Sequence, residues 1–311
     1  MNISNPDLYI ILVNWNKPNL TLDCIKSINE SSYKEYKTVV VDNYSSDNSI
    51  EIFKQSNLNF HLIKATENLG YTGGNNLGIE YAMAMNCKYV LLLNNDTLIN
   101  PNTLFNLVAP LNKDVSIGIT QPKIFFYPDS SLIWSGSTKL NKLLLRTRLV
   151  GYKEKNDPTL DKEQYLDYAV GCATLIRSSV IEKIGMLDDD YFAVCEDVDY
   201  GLRASAAGFK IWYVPDAYVY HIESASAGGA DNPQYVYYQA RSYLILFSKW
   251  SVNYMHFALV FSVYSLSTLI RIAKLLFVGN NRGVAAIYLG FRDFFLKKFG
   301  RREYSILKKR G

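Results

Sequence analysis

Leu8-Tyr9-Ile10-Ile11-Leu12-Val13-Asn14, Lys37-Thr38-Val39-Val40-Val41-Asp42 and Tyr89-Val90-Leu91-Leu92-Leu93-Asn94 are three short apolar runs, each closed by a polar side chain. Runs of this length, bounded this way, predict buried strands. Phe60–Lys64 reads as one more strand. The segments between them have helical character. Asn19-Leu20-Thr21 offers caps for a helix through Ser27, Asp47 and Ser49 offer them for a short helix around Ile50–Gln55, and Asn75–Met85 reads as a third. Strands alternating with helices predict a mostly parallel sheet with helices on both faces. Right-handed crossovers then bring the strand ends Asn14, Asp42 and Asn94–Asp96 to one edge, the carboxyl edge where open α/β sheets bind ligands.

Beyond a helix at Asn102–Leu111 the pattern weakens. Residues 123–161 lose periodicity and are punctuated by Pro128, Gly136, Gly151 and Pro158, which predicts an inserted, partly irregular region. Regular structure resumes with a strand at Tyr168–Arg177, helices at Ser178–Ile184 and Glu196–Ala207, and strands at Lys210–Val214 and Ala217–Ile222. The chain character changes near Tyr235. We therefore expect a catalytic domain over 1–234, in halves of about 1–122 and 123–234, and a helical tail over 235–311.

Composition limits the function classes. An apolar share of 49% and a charged share of 20% in 311 residues are those of a globular chain, not a disordered one. Cys24, Cys87, Cys172 and Cys195 form no CxxC pair, which argues against a disulfide framework or a zinc ribbon. Met1–Lys17 has no basic region followed by an apolar stretch, so no cleavable signal is expected.

Charge is unevenly distributed. Residues 1–240 carry 20 Lys+Arg against 27 Asp+Glu, whereas 241–311 carry 13 against 2, giving −7 and +11. The 21 residues between Lys249 and Arg271 have no formal charge but include Ser, Thr, Asn and His, a composition that predicts a poor membrane span. Trp250, Tyr254, Phe257, Phe261 and Tyr264, followed by Arg271 and Lys274, better suit helices lying in a membrane interface. The basic residues flank apolar stretches, so an anionic membrane surface is expected as partner and nucleic acid is not.

Four stretches can carry chemistry. Asp42, at a strand end, can accept from a ribose hydroxyl or a base N–H, or serve as a turn residue. Gly70-Tyr71-Thr72-Gly73-Gly74-Asn75-Asn76-Leu77-Gly78 permits close backbone approach ahead of a helix, but it follows the third strand and matches GxGxxG poorly. That placement disfavours a dinucleotide dehydrogenase. Asn94-Asn95-Asp96 sets one carboxylate, with neutral oxygens, where a divalent cation on a diphosphate needs ligands. Cys195-Glu196-Asp197-Val198-Asp199 places three acids at a helix start within aromatic surroundings. Some of them can merely complement the helix dipole, and one can be a general base. Arg203 is spaced to pair with them. His221 ends a strand and can complete a metal shell.

Together these stretches resemble the family 2 glycosyltransferases with the GT-A fold, and among them the bacterial rhamnosyltransferase-like enzymes of cell-surface polysaccharide synthesis. The matching pieces are Ile11–Asn16, Val41–Ser45, Asn68–Asn76, Leu93–Thr97, Gly171–Ala173, Ile184–Asp188, Glu196–Asp199 and His221, in the family's order. The resemblance implies a Rossmann-like GT-A sheet. It implies that Asn14, Asp42, Asn68, Gly70, Asn75 and Asn95 hold the nucleotide sugar, and that Asp96 and His221 bind Mg²⁺ or Mn²⁺. It also implies an inverting displacement with Asp197 as base, supported by Glu196. The expected donor is dTDP-rhamnose, a UDP-hexose or a UDP-N-acetylhexosamine, and the acceptor a saccharide or lipid-linked saccharide at the cytoplasmic face of the membrane.

Two departures stand out: the usual Asp-x-Asp is Asn94-Asn95-Asp96, and an Arg-Asn pair common in relatives is Arg241-Ser242. A catalytically degenerate, membrane-associated scaffold of the same fold is the rival reading. Retention of Asp96, Glu196, Asp197 and His221 together argues against it. A nucleotidyltransferase would want a glycine-rich loop after the first strand, where Asn14-Trp15-Asn16-Lys17-Pro18 has no glycine.

Overall fold

The computed structural model describes residues 6–222 and 232–307. Lys308, Lys309 and Arg310 of the basic tail lie outside the described residues. The first half runs β1 (Leu8–Asn14), α1 (Pro18–Asn29), β2 (Tyr36–Asp42), α2 (Ser49–Gln55), β3 (His61–Lys64), α3 (Gly70–Ala84), β4 (Tyr89–Leu93), β5 (Thr97–Ile99) and α4 (Thr103–Lys113). The second continues with β6 (Ile117–Phe126), β7 (Ile133–Ser135), β8 (Ser137–Asn141), β9 (Arg146–Val150), β10 (Gln164–Tyr165), β11 (Ala173–Arg177), α5 (Ser178–Ile184), α6 (Glu196–Ala206) and β12 (Lys210–His221). Three helices close the chain, α7 (Pro233–Trp250), α8 (Tyr254–Phe277) and α9 (Asn281–Phe295).

The main sheet has the order β10-β12-β6-β11-β4-β1-β2-β3. The pairs β1–β2, β1–β4, β2–β3 and β6–β12 are parallel, while β11 runs antiparallel to both β4 and β6. The apolar runs are buried on both faces, as parallel strands covered by helices require. Leu8, Ile10, Leu12, Leu91 and Leu93 pack with α1 and α4, while Tyr9, Ile11, Val90 and Leu92 pack with α3, α5 and α6.

Several boundaries differ from the sequence reading. Helix α3 begins at Gly70 instead of Asn75, so the glycine-rich stretch is itself helical. The reason is packing. A Cβ on Gly74 would meet Val13 at 2.8 Å and one on Gly78 would meet Ile11 at 2.3 Å, so these glycines let α3 lie on β1. Residues 168–172 are not strand; Tyr168 turns inward against Gly201, where a Cβ would sit 2.6 Å away. The two strands expected at 210–222 form one, β12, with a register shift between Val214 and Tyr218 around Pro215.

The region read as irregular contains β7 and the β8–β9 hairpin, strands too short to show a period. Its far end is tied back by Lys123, which is buried and bonded to Asp161 and, at 3.2 Å, to Asn156.

Each tail helix begins with an Asn cap: Asn232 accepts from Gln234 N, Asn253 from His256 N and Asn280 from Gly283 N. Among the described residues α8 alone is long and apolar enough to cross a membrane, against the poor span expected from its Ser, Thr, Asn and His content. Few of its residues are buried. Val260 and its neighbours Phe257, Phe261 and Tyr264 pack on Leu244 and Phe247 of α7 and Phe291 of α9, while Leu275 packs with Ala286 and Ile287. Leu266, Leu269, Ile270 and Phe277 on its other face are exposed.

Candidate active site

Four loops at the carboxyl edge of the sheet build the site. On the β1–β2 side, Asn14 donates to Asp42 Oδ1 at 2.9 Å and to Ser45 Oγ at 3.1 Å. Ser45 donates to Asp42 through Oγ at 2.6 Å and through its backbone N–H at 3.1 Å. Thr21 Oγ1 donates to Asn14 Oδ1, and Asn95 Nδ2 donates to Thr21 Oγ1, both at 2.9 Å. Asn14, Asp42, Thr21 and Asn95 are all buried, so this is one connected polar network. A carboxylate has about four acceptor positions and Asp42 uses three, leaving one for a ligand. Trp15 and Tyr44 stand exposed on the two loops the network joins.

The next residue, Asn43, extends the network and was not singled out from sequence. Its Nδ2 donates to Gly70 O at 2.8 Å, its Oδ1 accepts from Leu69 N at 2.9 Å, and Asn68 Oδ1 accepts from Gly70 N at 2.9 Å. Gly70 has φ +72, and a Cβ there would lie 2.4 Å from Phe192 O, so only glycine fits. Asn75 turns to its own helix, donating to Tyr71 O at 2.8 Å. Asn76 instead reaches across, donating to Leu187 O and Asp189 Oδ1 at 2.9 Å each.

Asp96 and His221 are brought together by strand pairing. β5 runs antiparallel to the end of β12, with His221 opposite Thr97, and Ile222 N donates to Asp96 O at 2.9 Å. His221 Nε2 lies 3.3 Å from Asp96 Oδ1, both side chains are buried, and His221 Nδ1 has no hydrogen-bond partner among the described residues. Trp134 of β7 packs edge-on against the imidazole at 4.7 Å. Adjacent ligands of a six-coordinate cation with bonds of about 2.1 Å lie about 3 Å apart, so this oxygen and nitrogen suit one divalent ion. Among the described residues no group of three or more His, Cys, Asp or Glu side chains gathers, so further ligands would have to come from solvent or a diphosphate.

Glu196 and Asp197 open α6 at the end of an unusual loop. Phe192, Val194 and Cys195 have φ of 62, 71 and 70, left-handed values that cost a non-glycine residue on the order of 1–3 kcal/mol each. The loop is held from two sides. Thr72 N donates to Phe192 O at 3.1 Å, and Ser242 Oγ donates to Ala193 O at 3.0 Å. Arg241, fully buried, donates to Gly300 O at 2.7 Å and at 3.3 Å to Asp190 O, Tyr191 O, Lys298 O and Tyr237 Oη. Arg241 thus clamps this loop.

The two carboxyls differ. Asp197 is partly exposed and accepts from Gly171 N at 2.9 Å and from Val198 N at 2.8 Å. Glu196 is buried and its Oε2 has no hydrogen-bond partner among the described residues. Burial raises both pKa values, and the Asp197 charge raises Glu196 further. Backbone donors favour the ionised form, so the negative charge belongs on Asp197 and a proton on Glu196.

Arg203 does not pair with either; its Nε donates to Asp199 at 2.8 Å, and Trp250 Nε1 donates to the same carboxylate at 2.9 Å. Asp199 thus joins α6 to α7. Asp197 and the Asn94–Asp96 strand end meet at one short segment: Gly171 N donates to Asp197, and Cys172 O accepts from Asn94 N at 2.9 Å.

A largely parallel sheet with an antiparallel β11, a polar network at its carboxyl edge and two acidic centres that meet at the segment before β11 define the GT-A class. Residues 9–185 match the family model described as Glycosyl transferase family 2, and the chain belongs to that family. It is 29% identical over 209 residues to the low-salt glycan biosynthesis hexosyltransferase Agl10 of Haloferax volcanii, covering 66% of this chain and 64% of that protein. It is 22% identical over 247 residues to the poly-β-1,6-N-acetyl-D-glucosamine synthase of Staphylococcus epidermidis, covering 78% and 56%. The chain thus spans less than two thirds of the length of these relatives.

Among solved structures, the mannosyltransferase PcManGT of Pyrobaculum calidifontis, in complex with GDP-Man and Mn²⁺, superposes with TM-score 0.57. It is 14% identical, and the match covers 94% of this chain and 88% of that one. S. aureus TarS 1–349 superposes with TM-score 0.53 at 18% identity, covering 80% and 68%. These likenesses establish the GT-A fold.

Proposed function

We propose that this protein transfers a sugar from a nucleotide-sugar donor to a saccharide or lipid-linked saccharide acceptor in glycan or polysaccharide synthesis, with inversion. The observation that carries the reading is the joining of Asp197, through Gly171 and Cys172, to the Asn94–Asp96 strand end above the Asn14–Asp42 network. Relatives give it chemical context, since PcManGT binds GDP-Man and a TarS structure holds UDP-GlcNAc. The free acceptor position of Asp42 takes a nucleoside N–H or hydroxyl, and Trp15 offers a ring face for the base. Asn43 and Asn68 fix the backbone at Gly70, which lies against Phe192 of the loop that leads to Asp197.

Asp96 and His221 would hold Mg²⁺ or Mn²⁺, which when bound supplies positive charge for a departing diphosphate. Asp197 removes the acceptor proton, and protonated Glu196 keeps a second negative charge away from it. dTDP-rhamnose or a UDP-sugar is the donor we would try first. Incubating purified protein with Mn²⁺ and a panel of nucleotide sugars, and measuring nucleoside diphosphate release, tests the reading. No release from any donor, with acceptor extracts present, would refute it.

The metal assignment has its own check. With Mn²⁺ and a bound nucleoside diphosphate at a hundredfold excess over Kd, stability should rise by about 2.7 kcal/mol. Asp96→Asn and His221→Ala should each lose most of the metal-dependent part of that shift. An unchanged shift in both would place the cation elsewhere.

We also propose peripheral attachment to the cytoplasmic face of a membrane. The α8 face bearing Leu266, Leu269 and Ile270 is exposed while its opposite face packs on α7 and α9, which supports a helix lying along the surface. Changing those three residues together to Glu removes about 1.5–3 kcal/mol of burial each. The variant should move from the membrane fraction to the soluble fraction; unaltered partitioning would overturn the proposal.

A further inference from the structure

The turn before β11 that carries Gly171 is tied from three directions. Its own residues close it, as Ala173 N and Thr174 Oγ1 donate to Val170 O at 3.3 and 2.8 Å. Strand β4 holds it through Asn94 N on Cys172 O. The third tie comes from α3, where the Tyr71 hydroxyl donates to Gly171 O. Among the described residues this carbonyl has no other donor.

Tyr71 is itself held from the Asn43 side of the site. Asn43 Nδ2 fixes Gly70 O, Asn75 Nδ2 fixes Tyr71 O, and Thr72 N donates to Phe192 O. Tyr71, Gly171, Thr174, Glu196, Asp197 and Tyr200 line one small cavity behind the carboxyl pair. A Cβ on Gly171 would lie 3.2 Å from the Tyr71 oxygen, 3.5 Å from Glu196 Oε1 and 3.6 Å from Asp197 Cβ, so all three crowd this one residue. Burial raises the Tyr71 phenol well above its ordinary value and the Glu196 and Asp197 charges raise it further, so the hydroxyl keeps its proton to donate.

We infer that Tyr71 is a positioning residue for the base: its hydroxyl offsets the Gly171 carbonyl dipole beside the two carboxyls and holds the turn that sets Gly171 N on Asp197. Without the hydroxyl, a partly buried carbonyl is left unpaired near a carboxylate, which is costly. The turn then gains by rotating toward another donor, and Gly171 N leaves Asp197 Oδ2. Both changes disfavour the ionised carboxylate. The other groups that face Asp197 are Glu196 and Cys195 at its own helix start, Tyr168 before β11, and Tyr235 and Tyr243 of α7. These are acids, a thiol and phenols, so neutral donors such as Gly171 N are what favour charge on Asp197. The inference rests on the glycosyltransferase reading for the name of base, but the titration of Asp197 can be followed without turnover.

The test is carboxyl ¹³C NMR of aspartate-labelled protein in a Glu196→Gln background, which leaves the pair one titrating carboxyl. The Asp197 signal is the one that Asp197→Asn removes. Tyr71→Phe, which deletes only the oxygen, is expected to raise the Asp197 midpoint by about one pH unit, a tenfold change in proton affinity. Tyr200→Phe is the control, because Tyr200 lines the same cavity but donates to Gly185 O at 3.2 Å. It should leave the midpoint in place at a similar loss of melting temperature. An unmoved midpoint in Tyr71→Phe, or an equal shift in Tyr200→Phe, would overturn the inference. With Glu196 intact, the acid limb of kcat in Tyr71→Phe should move up in the same direction while the donor KM stays within about twofold, the split expected of lost transition-state positioning. A shifted midpoint in a protein whose wild type turns over no nucleotide sugar would refute the proposed reaction and leave the tie from Tyr71 to Asp197 standing.

Discussion

Asp197→Asn is expected to lower sugar transfer by about 10²–10⁴-fold, the usual contribution of a positioned general base. The amide is nearly isosteric and its oxygen can still accept from Gly171 N, but it cannot take the acceptor proton. Donor binding should survive, because nothing in the Asn14–Asp42 network touches Asp197.

Stability provides a second readout of opposite sign. Burial raises both carboxyl pKa values, so the folded protein keeps protons that the unfolded chain has already released. The unfolded state then binds fewer protons, and the contribution of this pair to stability falls as pH rises above the ordinary carboxylate range. Removing one charge should flatten that fall, so the variant's melting temperature at pH 8 should equal or exceed that of the wild type. Loss of activity together with a large drop in melting temperature would mean that Asp197 is structural. Full turnover would remove it from the base role.

Arg241→Met should cost about 3 kcal/mol or more. The variant keeps much of the volume but removes four hydrogen bonds from the guanidinium to carbonyls, of which Asp190 O and Tyr191 O keep backbone donors and those of Lys298 and Gly300 lose this one, and hydrogen bonds from charged donors are worth about 1.5–3 kcal/mol each. The effect should extend beyond stability. Arg241 joins the chain at 298–300 to the turn at 190–191, and that turn leads into the three left-handed residues before Glu196. Its phenolic partner Tyr237 donates to Asp293 at 2.7 Å. Burial alone would raise the Asp293 pKa, but donors from Tyr237, Tyr304 and Arg292 outweigh it and lower it.

Releasing the clamp lets the strained loop relax, so kcat should fall more than the donor KM rises, even at temperatures where the variant remains folded. Arg241→Lys should recover part of the stability, since an ammonium has three donors without the planar fork. A destabilised variant with unchanged kcat would show that the clamp serves folding alone.

Much of the catalytic edge was legible in sequence because its pieces are local. An apolar run that stops at Asn14, Asp42 or Asn94 announces a buried strand and the edge at which it ends, and Asp96 follows within three residues. His221 was read from its strand end as able to complete a metal shell, and the resemblance named Asp96 as its fellow ligand; 125 residues separate them and a strand pairing closes the gap. Asn43, Asn76 and Trp134 gave no distinguishing signal, because a buried Asn that braces a loop has the same composition as one in a turn. The glycines at 74 and 78 suggested ligand approach, yet their missing side chains make room for Val13 and Ile11.

The tail shows the same division. Its basic and aromatic content pointed to a membrane surface, and the amphipathic packing of α8 supports that proposal. Nothing in the order of residues 144–147 and 239–271 indicated that they line one cleft between the β8–β9 hairpin and the helices α7 and α8.

The sequence by itself determined the strand and helix order, the carboxyl edge and the acids near it, because burial periodicity and strand termination are properties of a few consecutive residues. Tertiary structure decided which carboxyl carries the charge and which arginine clamps the loop. Both depend on partners that distant segments deliver: Gly171 N donates to Asp197, and Asp190 O and Gly300 O accept from Arg241.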